Sequence, residues 1–387
     1  MKGFQYLQQK YLVGVYPNRG LTFIQGSGVY LYNQSGEKYL DMMSNYGVNI
    51  FGYCHPTIHQ ALTDQLEKLP TLHCSFNNDA RAQAAKNLVQ KCGGNLDQVY
   101  FSNSGTEAIE AALKFAVLAT GKKKFIACHQ AYHGKTLGAL SATSGEKYKK
   151  QFSPLLWDFQ HINYNNISDL KNVIDENTAA FIVEPIQGEG GVIVPNQNYL
   201  RKVRKICDTS GVLLILDEVQ TGTGRTGHFL ASQADSIDYD IVCLGKGLAG
   251  GIPVGATLVS QKVAQKIPKL IHSSTFGGNP LACAGILAVL ELLNQRTLSR
   301  IRRIGNYLIS QLKTIKSDQI KQVRGIGLMI GVEINGDRNQ VLKQLQTRKI
   351  LVIPAGDNVV RLLPPLIITK KEIDNFIEIF KKCVASS

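Results

Sequence analysis

Val212-Leu-Leu-Ile-Leu-Asp217-Glu218-Val219-Gln220 is an unbroken apolar run that ends on a carboxylate. A run this short, bounded by Gly211 and Asp217, reads as a strand buried on both faces, as in a parallel sheet covered by helices. Similar runs stand on either side: Val99-Tyr-Phe-Ser, Lys124-Phe-Ile-Ala-Cys, Ala179-Ala-Phe-Ile-Val-Glu, Ile241-Val-Cys-Leu-Gly and Gly255-Ala-Thr-Leu-Val. Segments with helical patterning separate them. The alternation over residues 51–285 predicts an α/β domain around a mostly parallel sheet.

Beyond residue 286 the texture changes. A long amphipathic helix from Ile286 to about Ile315 is expected, then strands at Gly327-Leu-Met-Ile-Gly-Val-Glu, Ile350-Leu-Val-Ile and Val359-Val-Arg-Leu, then a closing helix from Lys370. Residues 286–387 therefore read as a smaller α+β domain. Residues 1–50 carry a hairpin, Gly28-Val-Tyr-Leu-Tyr and Lys38-Tyr-Leu-Asp-Met around Asn33 to Gly36, expected to pack with that smaller domain.

The chain has 387 residues, 44% of them hydrophobic, and 43 Lys+Arg against 29 Asp+Glu give a net charge of +14. This length suits two or three domains. No apolar run approaches the roughly 20 residues of a membrane span, and Met1-Lys-Gly-Phe-Gln-Tyr-Leu lacks the apolar core of a secretory signal, so a cytoplasmic protein is expected. The eight cysteines are scattered singly, which argues against zinc or iron–sulfur sites and for reduced, mostly buried thiols. His55 and His59 have a chelating spacing, but the helix-unfriendly Pro56 lies between them, and no metal is expected. The basic groups, such as Lys122-Lys-Lys and Arg302-Arg, are not interleaved with aromatic stacking residues, so nucleic acid is not an expected partner.

Two glycine motifs fail as nucleotide sites. Gly222-Thr-Gly-Arg-Thr-Gly227 follows a strand, yet Asp217 to Gln220 intervene and no helix pattern follows; Gly134-Lys-Thr lacks the first glycine of a P-loop, where His129 stands. Three other stretches form a coherent set. In Phe101-Ser-Asn-Ser-Gly-Thr-Glu-Ala a strand ends in small hydroxyls and free amides where a helix begins, either an anion cradle or an ordinary N-cap. Asp217 sits at the carboxyl end of its strand, where open α/β sheets place ligand groups, and would either meet a cation such as a protonated pyridine nitrogen or cap the following turn. Lys246 ends the run Ile241-Val-Cys-Leu-Gly inside a glycine-rich turn; burial would lower its pKa toward a nucleophilic amine able to form a Schiff base.

These residues resemble the class III (ω-amino acid) aminotransferases, enzymes that use pyridoxal 5′-phosphate (PLP). The resemblance spans nearly the whole chain: Ser104-Gly-Thr-Glu-Ala, Tyr132-His-Gly-Lys-Thr, Glu184-Pro-Ile-Gln-Gly-Glu-Gly-Gly, Asp217-Glu-Val-Gln-Thr-Gly, Lys246-Gly, Ser274-Thr-Phe-Gly-Gly-Asn-Pro and Arg361-Leu-Leu-Pro-Pro-Leu. Within that class it is most similar to acetylornithine and ornithine aminotransferases. It implies PLP fold type I: a large domain with a seven-stranded, mostly parallel sheet, a small domain from both termini, and a homodimer with shared active sites. It also implies site roles. Lys246 would carry PLP and shuttle the substrate proton, and Asp217 would keep the pyridine nitrogen protonated. Gln220 would contact the ring hydroxyl, with Val219 and Tyr132 on the ring faces and His133 beside them. Ser104, Gly105 and Thr106 would hold the phosphate, completed by Thr275 of the other subunit.

For substrate, the resemblance assigns Arg361 to the α-carboxylate of glutamate and Glu189 to a switch that pairs with Arg361 when an ω-amine is bound. Tyr46 matches ornithine-type members, and Tyr16 joins the expected substrate contacts. Lys135 departs from the usual arginine of its motif and is the residue diamine enzymes often carry; it keeps the charge but loses bidentate geometry. The expected reaction is transfer of the terminal amino group of N-acetylornithine, or ornithine, to 2-oxoglutarate in arginine metabolism. Putrescine or 4-aminobutyrate are the rival donors. A PLP-free binding protein on the same scaffold would have no use for Lys246 and Asp217 together.

Overall fold

The apolar runs and their flanking segments become three sheets in a computed structural model that describes residues 3–385. Strands β1 (Phe23–Ser27), β2 (Tyr30–Asn33) and β3 (Lys38–Asp41) come first. The central strands are β4 (Leu96–Ser102), β5 (Lys124–Cys128), β6 (Asp158–Ile162), β7 (Thr178–Val183), β8 (Leu213–Asp217), β9 (Ile241–Leu244) and β10 (Gly255–Ser260). Strands β11 (Ile320–Ile326), β12 (Met329–Ile334), β13 (Ile350–Leu351), β14 (Ile353–Ala355) and β15 (Val359–Leu362) follow.

The central sheet has seven strands in the order β4-β10-β9-β8-β7-β5-β6. Neighbours from β9 to β6 are parallel, and only β10 runs antiparallel, to both β9 and β4. Every residue of β7, β8, β9 and β10 is buried, which is why those strands are continuous apolar runs. Edge strand β6, Asp158-Phe-Gln-His-Ile, is partly exposed, so its polar-interrupted sequence carries no such signal. Because five neighbouring strands are parallel, the residues just past their carboxyl ends meet along one edge of the sheet.

The hairpin turn is built by Asn33, whose Oδ1 accepts from the amides of Ser35 and Glu37 at 3.0 and 2.8 Å. Gly36 there has φ +75°, open to glycine without strain. Strand β13 then adds parallel to β3, with Ile350 opposite Leu40, so the first sheet joins both ends of the chain. The antiparallel sheet β11-β12-β15-β14 carries Arg361 on its buried third strand.

Three local expectations are corrected. The single helix expected from Ile286 to Ile315 is two, Pro280–Leu292 and Gln295–Lys313, bent by 72°. Leu293 leaves the helical region, Lys91 Nζ takes its carbonyl at 2.6 Å, and the Asn294 side chain accepts from Thr297 N to start the second helix. Ile350-Leu-Val-Ile divides between two sheets, since β13 pairs with β3 and β14 with β15. Pro56 does not interrupt a helix but begins one, Pro56–Lys68, at the first turn where its missing N–H costs nothing. Among the described residues no single helix is long and apolar enough to cross a membrane.

Candidate active site

A cavity of about 280 Å³ lies at the carboxyl edge of the central sheet, with Lys246, Asp217, Tyr132 and Thr106 in its wall. Strand β9 ends at Leu244, and Lys246 follows with φ +46°, opening a 3-10 turn over Lys246–Ala249. A lysine in the left-handed region costs about 1–3 kcal/mol, a strain of the kind kept where a side chain must be aimed. Burial pushes the Lys246 ammonium below the ordinary lysine range; Asp217 opposes the shift and Arg361 adds to it. The partly buried amine therefore gives up its proton more readily than an ordinary lysine.

Asp217 ends β8 and is buried. Its Oδ2 lies 2.7 Å from His133 Nδ1, and its Oδ1 accepts from Val219 N at 3.0 Å. It thus both caps the turn and holds an imidazole. Strand alternation turns the next residue the other way. Glu218 accepts from Thr221 Oγ1, Ala231 N, Ser232 N and Ser232 Oγ at 2.5–3.0 Å, and so pins the glycine-rich segment rather than lining the cavity. In that segment Gly222 to Gly227 forms turns, with the buried Arg225 donating to the carbonyls of Leu328 and Pro364.

Close backbone approach assembles the floor. A Cβ on Gly105 would lie 2.6 Å from Val219 Cγ1, and one on Gly245 would lie 3.0 Å from Gly105 Cα. Glycine at both places lets the helix start, the Val219 face and the strand that carries Lys246 touch. Helix Gly105–Thr120 presents its N-terminal amides here, and the Ser104 hydroxyl is engaged in its N-cap, accepting from Glu107 N at 3.3 Å. Thr106 Oγ1 lies 2.8 Å from Thr136 Oγ1.

The opposite wall holds Tyr132, whose hydroxyl is pushed up to about 12 by burial, with Glu189 contributing. Arg361 is buried behind the cavity. Its Nη2 lies 2.7 Å from Glu189 Oε2, and its Nη1 donates to Gln220 Oε1 at 3.1 Å. Lys135 is exposed at the rim, its Nζ 5.8 Å from the Tyr148 ring centroid.

Gly105, Thr106, Tyr132, His133, Lys135, Glu189, Asp217, Val219, Gln220 and Lys246 all line this one space. Ser104, Tyr46, Tyr16 and Thr275 do not. Tyr46 lies in a loop where Ser44, Asn45 and Tyr46 have φ of 46°, 50° and 59°, and it is half-exposed. Tyr16 lines a separate groove with Arg19 and Asn45, and Thr275 is exposed in the loop before Phe276. Two lining residues received no role from sequence, Gly134 and Glu184; Glu184, directly after β7, accepts from Tyr132 N at 3.1 Å and Gly188 N at 3.0 Å. The signal that singles out Asp217, a carboxylate ending an apolar strand, also applies to Glu184.

The donor set fits PLP. A cradle that a Cβ on Gly105 would fill, helix N-terminal amides for a phosphate, a buried carboxylate for a ring nitrogen and a partly buried amine for an aldehyde share one space.

Comparison with known proteins gives the same direction. Residues 16–384 match the family model described as aminotransferase class-III. An acetylornithine aminotransferase from Methanopyrus kandleri is 41% identical over 373 residues, covering 95% of each chain. A Pyrococcus horikoshii protein provisionally named a LysW-aminoadipate semialdehyde/glutamate semialdehyde transaminase is 43% identical over 355 residues, covering 92% of this chain and 93% of its own. The crystal structure of ornithine aminotransferase from Toxoplasma gondii superposes with a TM-score of 0.94 at 34% identity, covering 98% of this chain and 94% of that one.

Proposed function

Because this chain belongs to the class-III aminotransferases, enzymes that depend on PLP, we propose that it moves the terminal amino group of N-acetylornithine, or of ornithine, to 2-oxoglutarate. The products are glutamate and the corresponding semialdehyde. The observation that carries this reading is the Arg361–Glu189 pair, 2.7 Å long, close to the partly buried Lys246. A buried guanidinium with its own exchangeable counter-ion suits a pocket that must take an ω-amine in one half-reaction and an α-carboxylate in the other.

In this reading the chain's residues divide the work. The amides at Gly105 and Thr106 would hold the phosphate of PLP, and Val219 and Tyr132 would hold its ring. Asp217, oriented by His133, would hold the ring nitrogen, and Gln220 would hold the ring hydroxyl. Bound PLP supplies the electron sink that accepts the pair left when the substrate carbon loses its proton. Lys246 Nζ carries the cofactor, and when free of it takes and returns that proton, which its lowered pKa favours. Glu189 neutralises Arg361 while an ω-amine is bound and yields it to a substrate carboxylate.

Thr275, exposed and outside its own chain's cavity, supports a homodimer in which it completes the partner's phosphate site. The reading also places the enzyme in the cytoplasm, in arginine metabolism. Lys135 favours one rival: a single-point cation at the rim holds a distal carboxylate less firmly than an arginine fork would, which suits putrescine. A donor panel of N-acetylornithine, ornithine, putrescine and 4-aminobutyrate, compared by kcat/KM with 2-oxoglutarate as acceptor, tests the assignment. Acetylornithine or ornithine should lead, and Lys135→Arg should raise acetylornithine turnover several-fold, the value of about 1 kcal/mol from one further charge-assisted bond. Putrescine leading by a wide margin would overturn the donor assignment.

A further inference from the structure

The carboxylate of Glu184 connects two parts of the site that are far apart in sequence. Its Oε1 accepts from the amide of Tyr132, the aromatic wall, and its Oε2 accepts from the amide of Gly188, the residue before the switch Glu189. The two loops, one after β5 and the other after β7, are also tied where Gln187 Nε2 donates to the His129 carbonyl at 2.8 Å, but the Glu184 carboxylate is the tie that reaches the Tyr132 and Gly188 amides themselves. The anchor itself is firm: Glu184 is 6% exposed, and the partly buried Tyr164 donates its hydroxyl to the backbone carbonyls of Glu184 and Pro185 at 3.1 and 2.9 Å. Gly188 is tightly placed on its other side, where a Cβ would come 2.3 Å from Gln220 Oε1. A displaced Gly188 would therefore move against Gln220, the acceptor of Arg361 Nη1.

We propose that Glu184 is a positioning residue that, by bridging the Tyr132 and Gly188 amides, sets the resting position of the Glu189 switch relative to the aromatic wall, and so balances the two half-reactions. This rests on the aminotransferase reading above. The two amides are bound by different oxygens of one side chain, and a carboxylate presents two acceptor oxygens where the amide of the same shape presents one. Glu184→Gln keeps size and shape but turns one acceptor into a donor, so one amide loses its partner. Burial favours the protonated acid, and His133 and the two amide bonds oppose it.

The test uses the PLP-loaded enzyme and its Glu184→Gln variant. Hydrogen–deuterium exchange should rise in the peptides covering Tyr132 and Gly188 and not in distant β10. The ratio of kcat/KM for glutamate to that for the ω-amine donor should change about tenfold, the size of one lost charge-assisted bond. Tyr164→Phe, which loosens only the backbone anchor, gives the same readings if Glu184→Gln does not fold, with a smaller change of the same sign expected. An active wild type whose folded variants keep both the exchange pattern and the ratio would overturn this inference alone. A wild type that transaminates no donor would overturn the reading beneath it as well.

Discussion

Arg361 and Glu189 form an unequal pair: the arginine side chain has no exposed surface, whereas the carboxylate side chain keeps 35% of its own. Their 2.7 Å contact therefore has one fixed partner and one that can swing into water at little cost. The guanidinium cannot be left without an anion, so whichever carboxylate is present must take Glu189's place. Glu189→Gln should leave Arg361 open to glutamate but uncompensated during the ω-amine half-reaction. The ratio of kcat/KM for glutamate over the ω-amine should rise about tenfold or more, as for one charged hydrogen bond. Half-reactions followed separately by stopped-flow absorbance measure it; an unchanged ratio would remove the switch role.

Lys246 is the partly buried lysine of the cavity wall, and Asp217 lies close enough to favour its charged form. Lys246→Ala should abolish transamination and the visible absorption of the covalently held cofactor together, while the fold persists by circular dichroism. Turnover that survives in this variant would sink the assignment of the amine.

Gly105 is confined by Val219, whose Cγ1 would sit 2.6 Å from an added Cβ. Gly105→Ala overpacks that contact and should cost about 1–3 kcal/mol of stability. Because the same residue opens the anion cradle, PLP affinity should fall with it. Urea unfolding and a PLP titration check the two effects, and wild-type values in both would show that Val219 simply moves aside.

Burial raises the Glu184 carboxyl from 4.5 to about 7; Asp217 adds to this, and His133 and the two backbone amides oppose it. An acid whose pKa is higher in the folded chain binds its proton more tightly there, so folding is favoured by acid. Cofactor-free protein should lose stability as pH rises from about 4.5 to about 7, and the loss from this group should level off above that. Glu184→Gln cannot titrate and should flatten this part of the profile. Urea unfolding at a series of pH values compares the two proteins; parallel curves would contradict the assignment.

The parts of this molecule that were legible in sequence are those whose signal is local. Burial on both faces forces β7, β8, β9 and β10 to be apolar throughout, so those strands stand out as runs. Edge strand β6 is half-solvated and shows no run, and at the bend the Leu293 carbonyl accepts from Lys91, some 200 residues away in sequence. Propensity within a window contains neither fact.

The site divides in the same way. Sequence alone determined that Asp217 and Lys246 stand at strand ends and that Gly105 starts a helix, because the chemistry of a strand's last residue is written beside it. Only the tertiary structure decided that Asp217 faces the cavity while Glu218 pins a turn, and that Ser104 is occupied by its cap. It also decided that Arg361 reaches Glu189 and Gln220, and that Glu184 joins the Tyr132 and Gly188 loops. Those contacts arise because parallel strands bring their carboxyl ends to one edge. Which side chains then meet is set by sheet order and pleat, quantities that exist only once the strands have paired.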